Sequence, residues 1–262
     1  MLNNVMFGAD PELFLTSPDG KFISSIGKIG GTKLRPREIG MGSAVQEDNV
    51  AVEFNTAPAA TKEDFIRSLQ HPLAYLKSYA HETLGLGLAI VPSAIFDEDQ
   101  LNSPQARVFG CEPDQNAWTG EVNSQPRAPK GLEGLRTAGG HVHVSWDDRT
   151  NEEAVQLVRA LDLYLGVPSV FKDNDDRRRT LYGKAGAFRH KSYGVEYRTL
   201  SNFWIQDEVM IGWTYDHAMS AVDFVNQGGE INTKSQALIL QSINLNNKRS
   251  AKVLVKYFGV PV

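Results

Sequence analysis

His141 and His143 stand one residue apart in GGHVHVSW, residues 139–146, a stretch otherwise small or apolar. Side chains of a β-strand alternate between faces, so His141, His143 and Ser145 share one face while Val142, Val144 and Trp146 share the other. The same parity recurs in three further stretches. ADPELFL sets Asp10 and Glu12 against Pro11, Leu13 and Leu15; VAVEFNT sets Glu53 and Asn55 against Val52 and Phe54; GVEYRTL sets Glu196 and Arg198 against Val195 and Tyr197. A half-buried antiparallel strand commonly carries a polar outer face, so one such strand decides nothing. Four of them enriched in Asp, Glu, His and Arg point to a bound cation, because clustered carboxylates repel unless positive charge sits among them.

Several carboxylate oxygens with an imidazole suit Mg²⁺ or Mn²⁺, whereas zinc recruits more His or Cys. Mg²⁺ commonly arrives with phosphate, which makes a neighbouring basic run relevant. DNDDRRRTLYGKAGAFRHKSYGVEYR concentrates Arg177, Arg178, Arg179, Lys184, Arg189 and Arg198 just before and within one of the four strands. Guanidinium groups pair with phosphate in bidentate fashion and stabilise charge on a transferring phosphoryl group. The plainer reading of the arginine triplet is a solvated turn balanced by Asp173, Asp175 and Asp176.

The elements that must position these residues are short strands separated by Gly-, Pro- and Asn-rich turns, with LAIVPSAIF near residue 90 as a fifth strand. Two helices have clear starts. Thr61 with Asp64 opens one that carries Phe65, Leu69, Leu73, Leu76, Ala80 and Leu84, with Pro72 expected to bend it and Gly85 to stop it. Thr150 with Glu153 forms a capping box before Val155, Val158, Leu161 and Leu165. The last quarter reads as helical. Strands and helices do not alternate strictly, and the strands are polar on one face, so the expected class is α+β, with a largely antiparallel curved sheet and helices on its apolar face.

At 262 residues, with 41% hydrophobic and 22% charged content and no linker-like break, the chain is expected to form one domain, the sheet-bearing part over about 5–204 and a helical part over about 205–262. A net charge of −4 gives no field for coating nucleic acid. The single cysteine, Cys111, excludes an intrachain disulfide, and no stretch is long and apolar enough to span a bilayer, so a soluble cytoplasmic protein is expected. Cys111 itself reads as structural, which leaves no convincing nucleophile.

Taken in order, GADPELFL, DNVAVEFNTAP, GGHVHVS and RRRTLYGKAGAFR with GVEYRTLSNFW resemble the carboxylate–amine ligases of the glutamine synthetase and γ-glutamylcysteine ligase superfamily, above all the amidoligases carried by bacteriophages. The resemblance spans residues 7 to 204 and implies a glutamine synthetase catalytic-domain-like fold. It implies that Asp10, Glu12, Glu53, His141 and Glu196 hold metal, with His143 and Ser145 nearer the nucleotide. It also implies that Arg198 clamps the γ-phosphate while Arg179 and Arg189 contact phosphate or acyl phosphate. Arg178 and Lys184 are expected on the nucleotide phosphates as well, and Glu53, Arg179, Arg189 and Arg198 to take part in catalysis. One further acid precedes Glu53; Glu47 and Asp48 both remain open.

The implied reaction joins a carboxylate to an amine with ATP and Mg²⁺ (or Mn²⁺) through an acyl phosphate. Its substrates would be small molecules or peptides in the cytoplasm, the host's if the chain is phage-encoded. No separate amino-terminal domain is evident to complete a ring-shared site, so a dodecamer is not expected, while a smaller homo-oligomer stays open. Two other classes compete. A metal-dependent amidohydrolase or phosphoesterase could use the same acids, although His71, His81, His190 and His217 follow no metal spacing. A catalytically inactive binding protein of this fold is the third.

Overall fold

In the computed structural model of the chain, which describes residues 1–108, 113–173 and 176–262 and omits the side chain of Asp176, Pro11 divides one expected strand into two. Proline has no N–H for a ladder, so pairing changes partner there. Strand β1 (Met6–Ala9) joins the first sheet, beside β11 (Val142–Ser145), β13 (Gly194–Tyr197), β12 (Ala187–Lys191) and β9 (Gln115–Asn116), in that order. Strand β2 (Glu12–Thr16) joins the second, between β3 (Phe22–Ile23) and β6 (Ala51–Asn55), followed by β5 (Ser43–Asp48) and β4 (Arg37–Gly40), with β7 (Gly87–Ala89) also on β2. A small third sheet pairs β8 (Ser93–Ile95) with β10 (Leu135–Thr137). Every ladder is antiparallel.

Two expectations are thereby corrected. Asp10 and Glu12 do not lie on one strand, and LAIVPSAIF is broken at Pro92 into β7 and β8 of different sheets. The two large sheets meet at the Asp10–Pro11 break, where Glu12 N–H donates to the Gly139 carbonyl (2.9 Å) and Thr56 N–H to the Ala9 carbonyl (3.0 Å).

The apolar faces are covered by helices. Helix α1 (Lys62–Ser78) is capped by Thr61, whose hydroxyl accepts from Asp64 N–H, and runs unbroken through Pro72 into a π-turn at Tyr79–Thr83 before Gly85 ends it at φ 64°. After the single turn α2 (Pro104–Arg107), α3 (Asn151–Leu161) begins with the expected Thr150–Glu153 capping box and passes through a second π-turn, Asp162–Gly166, into α4 (Val167–Ser169). A short α5 (Asp176–Leu181) carries the arginine triplet, and α6 (Glu208–Asn226), α7 (Thr233–Asn244) and α8 (Lys248–Phe258) make up the helical end of the chain. Phe7, Val142, Val144, Trp146, Val195 and Tyr197 from the first sheet are buried against Phe65, Leu69, Leu157, Leu161 and Trp204. No helix among the described residues is long and apolar enough to cross a membrane.

Candidate metal and phosphate site

Each sheet presents one acidic triad to a shared cavity of about 360 Å³. In the first sheet, Asp10 follows β1, His141 precedes β11 and Glu196 lies in β13, and their ligand atoms all fall within 4.8 Å of one another. His141 Nδ1 is 3.1 Å from Asp10 Oδ1 and 3.5 Å from Glu196 Oε1. In the second sheet Glu12, Asp48 and Glu53 form an equally tight group. Antiparallel register produces both: His143 and Arg189 lie opposite Glu196 on its two flanks, and Glu12 and Gln46 lie opposite Glu53.

The backbone before His141 is constrained by its neighbours. A Cβ on Gly139 would collide with the His141 ring, and one on Gly140 with the Ser201 carbonyl and, at 2.6 Å, with Trp204 Nε1. Both glycines of the GGHVH motif are therefore required by close approach. Of Glu47 and Asp48, the turn that follows brings Asp48 to the cavity. Asn49, at φ 53°, opens a two-residue turn that pairs Asp48 with Ala51, so Asp48 shares the face of Glu53. Glu47 points away and accepts the backbone N–H groups of Ile29 (3.2 Å) and Gly30 (3.0 Å).

The two triads differ in charge. Glu196 is buried, with Arg198 on Oε1 and Lys191 on Oε2 (2.6 Å), and Arg189 lies 3.6 Å away. Burial and Asp10 oppose ionisation of Glu196, yet Arg198 and the two histidines hold its carboxyl down at about 2. Asp10 is likewise held well below the carboxylate range, because His143 and His141 outweigh its burial. In the second triad burial comes first and the neighbours add to it. Glu12 is pushed up by burial and Asp48 against the pull of His141, the Gly139 N–H (2.8 Å) and Arg198, and Glu53 well above its usual value by burial, Asp10, Asp48 and Glu12, with Lys33 opposing. Lys33 reaches Asp48 at 3.1 Å. Three crowded carboxylates, two of them raised by burial and by one another, are a fitting donor set for a hard divalent cation, and fit it better than the triad of Asp10, His141 and Glu196, which Arg198, Lys191 and the histidines already balance.

Arg198 is the hub between the triads and the rest of the pocket. Besides Glu196 it reaches His141 Nδ1 (3.4 Å) and donates from Nε to Asp114 (3.2 Å). His143 bridges Asp10 (Nε2, 3.2 Å) and the Tyr193 hydroxyl (Nδ1, 2.6 Å), and its ring stacks on Tyr193 at 5.8 Å between centroids. His143, Ser145 and Tyr193 also line a largely apolar groove of about 360 Å³ walled by Met6, Phe7 and Pro58, which adjoins the acidic cavity.

The remaining basic residues are placed differently from one another. Arg178 is buried, donates to the carbonyls of Thr199 (3.0 Å) and Arg198 (3.2 Å), so that it braces the segment that carries Arg198, and lines a pocket with Glu12, Asp48, His141 and Arg198. Arg179 is buried against Ser169 (2.9 Å) and Asp173 (3.3 Å) and does not line the acidic cavity. Lys184 is exposed and lines a separate cavity with Asp114, Tyr182 and Arg127. Arg189 alone of this group lines the acidic cavity with Arg198. The solvated-turn reading of the triplet fails for Arg178 and Arg179, while Asp175 lies outside the described residues, as does Cys111.

Lys33, Asp114, Lys191 and Tyr193 join the site unannounced. Lys191 shares strand parity with Arg189 and could have been found that way; Lys33 and Asp114 come from irregular segments that carry no periodic signal.

No curated protein matches the sequence. Residues 133–225 match the family model of phage phiEco32-like COOH.NH2 ligase-type 2. The resemblance to phage-type amidoligases read from the motifs therefore stands over that segment, which holds His141, His143, Arg189, Glu196 and Arg198, while Asp10, Glu12 and Glu53 lie before it. Among solved structures the chain is similar to a bifunctional glutathione synthetase from Pasteurella multocida, at 9% identity and a TM-score of 0.45, over 98% of this chain and 47% of that one. The chain thus spans about half the length of that protein.

Proposed function

We propose that the chain is an ATP- and Mg²⁺-dependent carboxylate–amine ligase, of glutamine synthetase-like construction, acting through an acyl phosphate on small-molecule or peptide substrates. The observation that carries this reading is the meeting of two acidic triads and two arginines, Arg189 and Arg198, in one cavity. The match of residues 133–225 to a COOH.NH2 ligase family supports it.

Glu12, Asp48 and Glu53 would hold one Mg²⁺ and Asp10, His141 and Glu196 a second, and the bound ions would supply charge neutralisation on the triphosphate. The chain's own residues do the rest. The Tyr193–His143 stack and the apolar groove beside it offer a surface for the nucleobase, with Ser145 at its wall. Arg198, held by Glu196 and Asp114, presents a fixed guanidinium to the γ-phosphate, and Arg189 faces the same space. A substrate carboxylate oxygen then bonds to the γ-phosphorus as the bond to ADP breaks. An amine nitrogen next bonds to the acyl carbon as phosphate leaves with the electron pair, and the amine gives up a proton. Positioning and fixed positive charge carry both steps, with no enzyme nucleophile.

Titration of Mg·ATP into the protein tests the reading. Tight binding that needs Mg²⁺ and is weakened at least about tenfold by Glu53→Gln is expected. Nucleotide binding indifferent to Mg²⁺ and to Glu53 would overturn it.

A further inference from the structure

Asp162 is a fully buried carboxylate at the π-turn that interrupts the α3 helix, on the far side of the first sheet from the acidic cavity. A helix widened into a π-turn frequently marks a functional position. Here the widening brings the carboxylate to three side-chain donors from two other segments. Oδ1 accepts from the Tyr197 hydroxyl (2.8 Å), Oδ2 accepts from Trp118 Nε1 (2.6 Å), and the Thr199 hydroxyl is shared between Asp162 Oδ1 (3.3 Å) and the Lys184 carbonyl (3.1 Å). Gly166, one turn on, leaves the space the Tyr197 hydroxyl occupies, since a Cβ there would fall 2.6 Å from it.

Tyr197 and Thr199 are the two residues that flank Arg198. By strand parity their side chains point to the helix layer while the Arg198 guanidinium points to the cavity. A carboxylate that fixes residues 197 and 199 from behind therefore fixes the direction in which residue 198 leaves the backbone. The same carboxylate holds Trp118, whose neighbour Ala117 bonds through its N–H to the Gly186 carbonyl (2.9 Å) just before β12 and Arg189. We infer that Asp162 is a positioning residue for Arg198, acting through Tyr197 and Thr199. The inference rests on the ligase reading only for its effect on turnover, since the alignment of Arg198 is observable without any reaction.

The hub is chemically specific. Tyr197, Thr199 and Trp118 all offer hydrogens to Asp162, and burial is the largest influence on the carboxyl, raising it to about 7 against these donors. Three charged side chains surround the hub: Arg178, which donates to the Thr199 carbonyl (3.0 Å), Arg179, which acts on Tyr197, and Arg159, which lies over the Trp118 ring at 5.3 Å.

The full-length protein labelled with ¹⁵N-arginine provides the test, with the Arg198 Nε–H signal assigned through Arg198→Lys. Tyr197→Phe and Thr199→Val each remove one donor and leave the packing volume nearly unchanged; Asp162→Asn keeps an acceptor for Tyr197 and Thr199. The expected result is a moved or broadened Arg198 signal in Tyr197→Phe and in the Tyr197→Phe/Thr199→Val double variant, and a smaller displacement in Asp162→Asn, which keeps the oxygen that accepts from Tyr197 but sets an amide NH2 against Trp118 Nε1. In a turnover assay the double variant should lose about a hundredfold in kcat, with KM for ATP changed far less. An Arg198 signal unmoved in folded variants that merely melt earlier would overturn the inference. If the wild type makes no ADP with any acid, the ligase reading fails while the Arg198 signal still decides the role of Asp162.

Discussion

Glu53 carries the conflict at the centre of the site. It is buried, and Asp10, Asp48 and Glu12 all oppose its ionisation. Its carboxyl is raised in the folded chain relative to the unfolded one, so the metal-free protein loses stability as pH rises above the ordinary glutamate range. Glu53→Gln should therefore stabilise the protein in EDTA near pH 8, raising the melting temperature by roughly 3 °C, and abolish most of the stabilisation that Mg²⁺ gives the wild type. Calorimetry with and without Mg²⁺ checks both halves. The opposite case is Glu196, whose carboxyl sits at about 2 under the pull of Arg198 and the histidines. Arg198→Ala would leave that buried charge undercompensated and should cost about 3 kcal/mol of stability in denaturant titration.

At this scale the sequence was informative where period-two alternation applied. Parity singled out Glu53, Glu196 and Arg198 and gave His141 and His143 equally; it also named Asp10 and Glu12, which reach the cavity although the strand assumed for them is split at Pro11. It was silent on Lys33 and Asp114, which reach the site from irregular segments, and it did not bear on Arg179, whose phosphate contact was implied by the resemblance and whose side chain, on α5, turns to Asp173.

At the scale of elements, two local devices set the geometry. The glycine pair before β11 is forced by the His141 ring on one side and the Ser201 carbonyl on the other. Gly140→Ala should destabilise the protein by about 3 kcal/mol, through a clash with backbone that cannot yield. The second device is the π-turn at Asp162. Its carboxyl stands at about 7 in the folded protein against an ordinary value of 3.8, with burial as the cause. The folded state thus holds a proton that the unfolded state has released between about pH 4 and 7, and stability falls as pH rises through that window. The full effect is of the order of 4 kcal/mol. Asp162→Asn should flatten this slope, as read from urea midpoints at pH 4, 5.5 and 7. The capping boxes and helix starts were legible because a cap is local chemistry. The splitting of two expected strands at Pro11 and Pro92 was marked by proline itself, yet which sheet each half would join depended on distant partners.

For the whole molecule, the division at Pro11 is what makes a two-sided site. One sheet contributes a triad already balanced by arginine, lysine and histidine; the other contributes three acids, with Lys33 paired to Asp48. Alternation read along single strands cannot reveal that the four polar faces belong to two sheets turned toward one cavity, because that depends on strand order. The antiparallel architecture with helices on the apolar side was legible, since half-polar strands do not suit a sheet buried on both faces. The ligase reading is tested most directly by incubating the protein with ATP, Mg²⁺, hydroxylamine and a broad panel of amino and other carboxylic acids, and measuring hydroxamate and ADP together. The expected result is equimolar hydroxamate and ADP with at least one acid, dependent on Mg²⁺ and lost in Arg198→Ala. ADP formation that no acid stimulates, or hydroxamate formation that survives in Arg198→Ala at the wild-type rate, would contradict it.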